Sequence, residues 1–431
     1  VASMAIFLVI GVLGIVLFAT SKVGTGSKNY TSVVWGVLPQ STINTALESY
    51  RIKGIDPNFT YTEFPEEGFD QVILQAVAEG RGPDAIIFPD TMYFGQFNKL
   101  VTIPSETISS RAYTEKYIDA AKQFSVQGGV KAFPLVIDPL VMYYNKDMFT
   151  AAGILTPPKS WREVSNYTTL LTRKRDDGVI DRSGIALGEY ANINHAKNIL
   201  YTLLTQAGVR VSFFDTGIQA YTTGLSKTNQ ASAAAGEVSA SEKTKGVMTY
   251  FTNFANPLAT PYTWNRSFSS SRDAFLSQSL AMYIGPGSEL QYIISRNPNL
   301  NFGIAPIPQE NPDVKAVQGK SYALGFLITS RNLTTAYTDI TEFFTADTMI
   351  QGLADALHVA PATRSLIASS MSAKNSADLA VIYESAIYAQ TWMDPNESAT
   401  DTIFKTLVES VTSGKQNLSE AIQDAGDRLD R

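Results

Sequence analysis

Polar and aromatic residues that could bind a ligand follow two predicted strands near the start of the chain. Gln40 comes just after a strand predicted at residues 32–38, and Asp90 and Tyr93 come just after a short apolar strand at 84–88. Carboxylates and amides form several hydrogen bonds with hydroxyl groups, and flat aromatic faces cover apolar ligand faces. Since Asp is also a residue type that caps helices, a structural role for Asp90 is the alternative.

Catalytic chemistry has little support in the residue pattern. Asp90 and Asp138 could be cast as the two carboxylates of a glycosidase, but their spacing in the chain does not show the separation that the reaction needs. The sequence contains neither G-x-S-x-G nor G-x-x-x-x-G-K-S/T, and it has no cysteine. His195 and His358 are the only histidines, and neither has a recognisable ligand spacing. We therefore expect no enzyme activity, no cofactor and no metal.

The elements that position the first candidates alternate between strand and helix. Ser41 can cap a helix whose apolar face includes Ile43 and Leu47, and strands are predicted at 58–64 and 84–88. Short links between strands and helices indicate a parallel α/β sheet. Ligands of such sheets bind beyond the carboxyl ends of the strands, so we expect residues 37–40 and 89–94 to lie at one site.

Bulk composition sets the class of protein. A chain of 431 residues is long enough for two or three globular units. Hydrophobic residues make up 44% and charged residues 17%, which excludes wholesale disorder. The net charge of −6, without a long basic run, argues against a nucleic-acid partner.

The N-terminal residues form a long uncharged stretch. Residues 5–19 are almost purely apolar, and about 20 residues at 1.5 Å each span a hydrocarbon core of ~30 Å. We expect a transmembrane anchor at 1–22 and a tether at 23–31, which places the rest of the chain on the extracytoplasmic face of the cell membrane. A cleaved signal segment ending near Ala19 is the alternative.

Two later stretches have simple patterns. Residues 227–242 are rich in Ser, Ala, Thr and Glu, which is typical of a surface loop or a solvated helix. Near the C-terminus, apolar stripes at 403–411 and 421–429 predict two amphipathic helices separated by Gly414.

Four motifs in order resemble a known family. The chain reads GPDAIIF at 82–88, FPLVIDPLVMYYNKDMF at 133–149 followed by AAGILTPPKSWREV at 151–164, FLSQSLAMYIG at 275–285, and APIP at 305–308 with GKSY at 319–322. These motifs resemble those of extracellular solute-binding proteins of ABC importers, of the maltose-binding type (family 1). Gln278 stands where the third motif usually has glycine. The resemblance extends over most of residues 33–420.

The resemblance implies a two-lobed α/β fold of the periplasmic-binding-protein-like (type II) class, with a hinge and an interdomain cleft. Lobe 1 would comprise residues 32–137 and 304–360, and lobe 2 residues 138–303 and 361–431. Hinges would lie near Ile137, 303–305 and 359–363, and closure would trap a small solute between the lobes. The loaded form would be a monomer that docks on the transmembrane subunits of an ABC permease.

The same resemblance assigns ligand-binding positions. Asp138, just before the crossing strand, falls where the family carries a cleft carboxylate, although an Asp before Pro139 also suits a turn. Asp90 falls in the place of another such carboxylate. A third region, the loop that lends polar and aromatic groups to the cleft, is matched by Glu189, Tyr190 and Asn192.

Aromatic platforms are the other expected component of a sugar site. Trp392 lies at about the place of a family stacking residue, and Trp264 lies in a polar, irregular stretch where a core tryptophan is less natural. Ser288 occupies the approximate position of a stacking tryptophan in the maltose-binding type, so one platform is missing. A carbohydrate remains the expected solute, with peptides and polyamines as alternatives. A membrane-anchored adhesin and a surface glycosidase are the alternatives from other classes.

Overall fold

The computed structural model describes residues 30–215, 220–225, 238–372 and 377–429. The predicted anchor at 1–22 and residues 23–29 of the predicted tether lie outside the described residues, as do residues 227–237 of the Ser/Ala-rich stretch. No helix in the described ranges is both long and apolar enough to cross a membrane. The chain divides into unit 1, residues 1–137 and 320–369, and unit 2, residues 138–319 and 370–431.

Short strands and helices alternate along much of the chain. The strands are β1 (Ser32–Gly36), β2 (Phe59–Glu63), β3 (Ala85–Pro89), β4 (Ile103–Pro104), β5 (Ser125–Val126), β6 (Gly129–Val130), β7 (Phe133–Asn145), β8 (Arg173–Lys174), β9 (Ile180–Ile185), β10 (Ser212–Asp215), β11 (Ala220–Thr223), β12 (Leu280–Pro286), β13 (Phe302–Pro306), β14 (Val317–Phe326), β15 (Ala360–Pro361) and β16 (Ala389–Gln390). The helices are α1 (Gln40–Arg51), α2 (Phe69–Ala78), α3 (Tyr93–Gln96), α4 (Ser110–Lys116), α5 (Lys146–Ala151), α6 (Trp161–Leu171), α7 (Ala196–Gln206), α8 (Ala240–Asn253), α9 (Ser271–Leu276), α10 (Glu289–Arg296), α11 (Leu333–Phe344), α12 (Asp347–Leu357), α13 (Arg364–Ser372), α14 (Ala377–Ile387), α15 (Glu397–Thr412) and α16 (Leu418–Leu429). Within the described residues, short 3₁₀ helices occupy Asp90–Met92, Phe97–Lys99 and Asp119–Phe124.

The sheet of unit 1 has the order β2-β1-β3-β14-β7, with β15 on β7. β1 pairs in parallel with both β2 and β3, which confirms the predicted parallel arrangement. β3 is buried at every position, as expected of a central strand covered on both faces. The core lies between this sheet and the helices, and it includes Val34, Ile43, Ile87, Leu135, Leu324, Ile340 and Leu353.

The first helix begins differently from the expectation. α1 starts at Gln40 rather than after Ser41, and the residue before it, Pro39, provides no side-chain cap. Instead the backbone N–H of Gln40 donates to Oε2 of Glu63, 2.6 Å away, at the end of β2. The Ser41 cap is therefore wrong, because a carboxylate from the neighbouring strand end satisfies the free N–H at this terminus.

The sheet of unit 2 is built around the second half of β7. β12 and β13 flank it in antiparallel fashion, β9 pairs in parallel with β12, and β8 completes the order β13-β7-β12-β9-β8. β16 pairs with the first residues of β14. The two C-terminal helices, α15 and α16, confirm the predicted apolar stripes. The core residues include Val141, Ile185, Leu200, Phe251, Phe254, Phe275 and Met282.

Helix α6 shows how local sequence fixes an element of unit 2. Ser160 accepts a hydrogen bond from Glu163 N, and the Glu163 carboxylate accepts one from Ser160 N, which is a complete capping box. Trp161, the first helical residue, is buried, and its indole N–H donates to Gln206 Oε1 at 2.6 Å. Trp161 therefore packs within unit 2.

Candidate functional site

The carboxylate of Asp138 is held by the residue that precedes a helix. Ser288 lies two residues beyond β12, directly before α10, and both its backbone N–H and its hydroxyl donate to Asp138, at 3.0 and 2.6 Å. Gly287 N donates to Pro139 O at 2.9 Å, which fixes the loop next to Asp138. The positive end of the α10 dipole also favours an anion here. Asp138 is thus oriented by unit 2 itself.

Burial controls the titration of Asp138. Removal from water raises its pKa to about 6, and the two hydrogen bonds from Ser288 only partly oppose that rise. The side chain keeps partial exposure. A partly exposed carboxylate that is still mostly ionised at neutral pH is suited to accept hydrogen bonds from ligand hydroxyl groups.

Glu289, next to Ser288, is the centre of a second cluster. Its Oε2 accepts a hydrogen bond from the Tyr283 hydroxyl at 2.6 Å, and its Oε1 lies 3.0 Å from His195 Nε2 and 3.3 Å from Arg272 Nη1. Burial alone would raise the pKa of Glu289, but the hydrogen bonds and charges of these three partners lower it below its usual value. The cluster holds a buried carboxylate directly beside the Asp138 site.

Sequence reasoning missed this second cluster. Glu289 follows the carboxyl end of β12 within the run Gly285 to Glu289, so the same strand-end argument that selected Asp90 would have selected it. His195 lies 94 positions away from Glu289 in sequence, and no spacing rule connects the two.

Unit 1 carries its own polar edge at the strand ends. Asp90, directly after β3, is almost fully buried and its Oδ1 accepts a hydrogen bond from Ser321 N at 2.9 Å. Lys320 Nζ pairs with Glu66 Oε1 at 2.6 Å. Burial lowers the pKa of Lys320, but Tyr322, Glu66 and Asp90 together raise it above its usual value. The lysine therefore stays charged beside Asp90.

The strand-end candidates of unit 1 have different environments. Gln40 is half-buried, and its Nε2 lies 3.5 Å from Asn44 Oδ1. Tyr93 is fully buried in an aromatic group, stacked near Phe88 and edge-on to Phe124. Its pKa is raised by burial, so its hydroxyl stays protonated. Glu66 and Lys320 are the polar groups at this edge that sequence reasoning missed.

The polar side chains of the unit 2 loop at residues 188–194 form hydrogen bonds with other residues of unit 2. Glu189 Oε2 accepts from Arg266 Nε at 2.9 Å, and the Tyr190 hydroxyl donates to Asp401 Oδ1 at 2.6 Å. Asn192 accepts a hydrogen bond from the indole N–H of Trp264 at 3.0 Å. Both Glu189 and Tyr190 are buried. These contacts attach the loop to the rest of unit 2, and a ligand role for its members stays a prediction.

Both tryptophans proposed as platforms are packed within unit 2. Trp264 has no exposed surface and stacks on Phe268 with 4.4 Å between ring centroids, so the expectation of a non-core position is wrong. The indole N–H of Trp264 donates to Asn192 in the loop at 188–194, so the tryptophan can be buried although its sequence neighbours are polar. Trp392 is 6% exposed and stacks on Tyr201 at 5.4 Å, with Lys197 Nζ 4.9 Å from the ring.

Metal chemistry has no visible basis in the described part of the chain. No group of three or more His, Cys, Asp and Glu side chains there could hold a metal ion. What unit 2 offers instead is an oriented carboxylate, Asp138, and what unit 1 offers is Asp90 beside a charged lysine. Such groups form hydrogen bonds and need no cofactor to do so.

Known structures share this fold at low sequence identity. A cyclo/maltodextrin-binding protein complexed with maltotetraose matches with a TM-score of 0.72 and 16% identity, over 94% of this chain and 98% of the other. A cyclic α-maltosyl-1,6-maltose binding protein from Arthrobacter globiformis has a TM-score of 0.71 and 14% identity, over 93% and 97%. An ABC substrate-binding protein from Listeria monocytogenes in complex with cycloalternan has a TM-score of 0.66 and 15% identity, over 93% and 97%.

Sequence comparison identifies the family directly. No curated protein sequence matches the chain. The family model for bacterial extracellular solute-binding proteins matches residues 47–380, which is well over half of the chain. The mixed α/β architecture of the two units is that of the neighbouring structures. The chain is therefore a member of the bacterial extracellular solute-binding protein family, a family of transporter binding proteins and not of enzymes.

Proposed function

We propose that this protein is the extracytoplasmic substrate-binding component of an ABC importer and that it captures a carbohydrate. The observation that carries the proposal is Asp138: a carboxylate fixed by two hydrogen bonds from Ser288, partly exposed, in a chain of the solute-binding family. The ligands named for the similar structures above are maltotetraose, cyclic α-maltosyl-1,6-maltose and cycloalternan, which supports a sugar or oligosaccharide as the solute.

The proposed mechanism is closure of the two units on the ligand. Strands β7 and β14 contain residues at which the chain passes from one unit to the other, so they are natural hinges. Asp138 would bind from unit 2 and Asp90 with Gln40 from unit 1. The loaded monomer would deliver the sugar to a membrane permease, and a separate subunit would hydrolyse ATP. This chain would have no catalysis of its own.

The contacts within unit 2 refine the roles of several predicted ligand residues. Ser288 would act by orienting Asp138, and Glu189, Tyr190 and Asn192 stay predicted ligand contacts. Trp264 and Trp392 are packed, so they would serve as supports for the loop and for α7 rather than as open platforms. We also propose that the apolar residues 1–22 keep the protein on the membrane.

Thermal unfolding against a sugar panel tests the proposal. The full chain, kept in solution with detergent, is heated with maltotetraose, mannotriose, cycloalternan, a tripeptide and spermidine. A bound ligand at 100 times its dissociation constant adds about 2.7 kcal/mol to the free energy of unfolding, so one sugar should raise the Tm by several degrees. Asp138→Ala should abolish that rise.

A matched control is the exposed turn residue Asp176, because Asp176→Ala removes a carboxylate from the same unit away from the site. This variant should retain the full rise in Tm. A rise with spermidine or the peptide alone would replace the carbohydrate by another solute. If no member of the panel raised the Tm, capture of these solutes would be refuted and an adhesin would become the better interpretation.

A further inference from the structure

A pocket of about 430 Å³ lies within unit 2, away from Asp138. It opens where β7 ends, next to the β8–β9 pair and the turn before β12. From residue 138 to residue 145 the chain runs roughly 23 Å along β7, at about 3.3 Å per residue. Its polar lining comes from Asn145, Asp147, Arg173, Asp181, Arg182 and Gln278. Its size is within the range of small-molecule sites.

Asn145 brings a buried donor to this pocket. The residue is fully buried, and its Oδ1 accepts a hydrogen bond from Met148 N at 2.9 Å, which caps α5. Its Nδ2 has no acceptor among the described residues. Because a buried donor without an acceptor is unfavourable, an acceptor oxygen supplied by a ligand would be a gain for the complex.

Arg182 adds a positive charge with free donors. Its Nε donates to Leu171 O at 3.0 Å, and within the described ranges no acceptor meets its two terminal nitrogens. Arg173, by contrast, is already paired with Asp181. The Arg182 guanidinium and the Asn145 amide therefore remain as donors for a ligand, and together they suit a carboxylate group.

Asp147 provides the complementary charge. It is exposed, and its Oδ1 accepts a hydrogen bond from Asn301 Nδ2 at 2.6 Å, whereas Oδ2 meets no donor in the described part of the chain. The pocket thus offers a free acceptor as well as free donors. Its two arginines and two aspartates have a summed formal charge of zero, so the best fit is a ligand that is neutral overall and carries separated charges.

We propose that this pocket is a second binding site, for a small zwitterion of the free amino acid class. The ligand's carboxylate would bind Arg182 and Asn145, and its ammonium group would bind Asp147. The site lies within one unit, so binding there requires no closure. It is independent of the carbohydrate proposal.

Calorimetric titration of the full chain with glycine, L-serine and L-glutamine tests the site, with acetate and ethylamine as single-charge probes. At least one amino acid should bind with a millimolar or lower dissociation constant, and each single-charge probe should bind at least about tenfold more weakly. Arg182→Gln and Asn145→Asp should each weaken binding roughly tenfold or more, since each removes a hydrogen bond to a charged group. Asn145→Asp keeps a good helix cap, so the fold should persist.

Arg162→Gln, an exposed arginine on α6, is the matched control and should leave the affinity unchanged. Asp138→Ala should also leave it unchanged, which separates this site from the proposed carbohydrate site. The proposal is overturned if no amino acid binds, if acetate or ethylamine binds as tightly as the amino acids, or if neither pocket variant alters the affinity.

Discussion

Asp138 accepts both of its hydrogen bonds from one residue, Ser288, through the backbone N–H at 3.0 Å and the hydroxyl at 2.6 Å. The two donors fix the plane of the carboxylate before any ligand arrives. Burial nevertheless raises its pKa to about 6. Burial of Asp138 therefore lowers the stability of the folded protein at neutral pH, whereas its oriented carboxylate is suited to bind a ligand. Such a combination is common at functional sites.

The raised pKa predicts how Asp138→Asn changes stability with pH. Between the unfolded pKa near 3.8 and the folded pKa near 6, the folded protein holds more protons, so the stability due to Asp138 falls as the pH rises and is lost above about 6. One pKa unit is worth about 1.4 kcal/mol, so the variant should gain up to about 3 kcal/mol at pH 8 and almost nothing at pH 4. Urea unfolding at both values measures this.

Asp176→Asn, in an exposed turn of the same unit, is the control for that measurement. It should differ from the parent protein by no more than about 0.5 kcal/mol at either pH. An Asp138→Asn variant that is less stable than the parent at pH 8 would show that the hydrogen bonds from Ser288 outweigh the cost of burial.

The parallel sheet of unit 1 could be predicted from sequence because its pattern is local. Alternating strand and helix patterns predicted the parallel pairing of β1, β2 and β3, and the strand-end rule selected Gln40, which follows β1 and begins α1. The cap of α1 was missed because its acceptor, Glu63, comes from a neighbouring strand. Local spacing carries no information about such a partner.

The candidate site was harder to predict for the same physical reason. Asp138 and Ser288, which were both selected, are 150 positions apart, and their hydrogen bonds were not foreseen. Trp264 was expected outside the core because its neighbours are polar, but its burial is made possible by one distant acceptor, Asn192. A polar stretch can be buried only if residues elsewhere in the fold satisfy its hydrogen bonds, and a local sequence pattern does not show those partners.

Tyr283→Phe tests the buried cluster around Glu289. The Tyr283 hydroxyl donates to Glu289 Oε2 at 2.6 Å, and hydrogen bonds to charged groups contribute about 1.5–3 kcal/mol. We expect the variant to lose stability of that size at pH 7, measured by urea unfolding. Tyr292→Phe, on the adjacent helix α10, should change it by less than about 0.5 kcal/mol. Equal effects of the two variants would contradict the assigned role of the cluster.

Lys197→Met tests the buried ion pair beneath Trp392. Lys197 Nζ lies 2.6 Å from Asp394 Oδ2 and 2.7 Å from Thr400 Oγ1, and Asp394 is 2% exposed. Removing the lysine leaves a buried carboxylate without its partner, which typically costs about 3–5 kcal/mol. The double variant with Asp394→Asn should recover part of that loss, as a double-mutant cycle would report.

An exposed pair provides the comparison for Lys197. Lys245 and Glu242, one turn apart on α8, approach to 3.2 Å at the surface. Lys245→Met should cost at most about 1 kcal/mol, since exposed ion pairs contribute little. A loss for Lys197→Met no larger than that for Lys245→Met would contradict a stabilising role for the buried ion pair between Lys197 and Asp394.

Gln278 predicts a stabilising substitution. Its φ of 60° places it in the left-handed region, which costs a residue with a Cβ atom about 1–2 kcal/mol, and this position usually holds glycine in the motif that it interrupts. Gln278→Gly should therefore raise the free energy of unfolding by about 0.5–1 kcal/mol, after the entropy cost of glycine. Gln278→Ala keeps the Cβ atom and should give no gain in the free energy of unfolding.

Gln423→Gly, in the middle of α16, should instead lower stability by about 1 kcal/mol, because glycine there only adds backbone entropy to the unfolded chain. If glycine lowered stability at both positions alike, the left-handed backbone at Gln278 would not be the source of strain that its φ angle indicates.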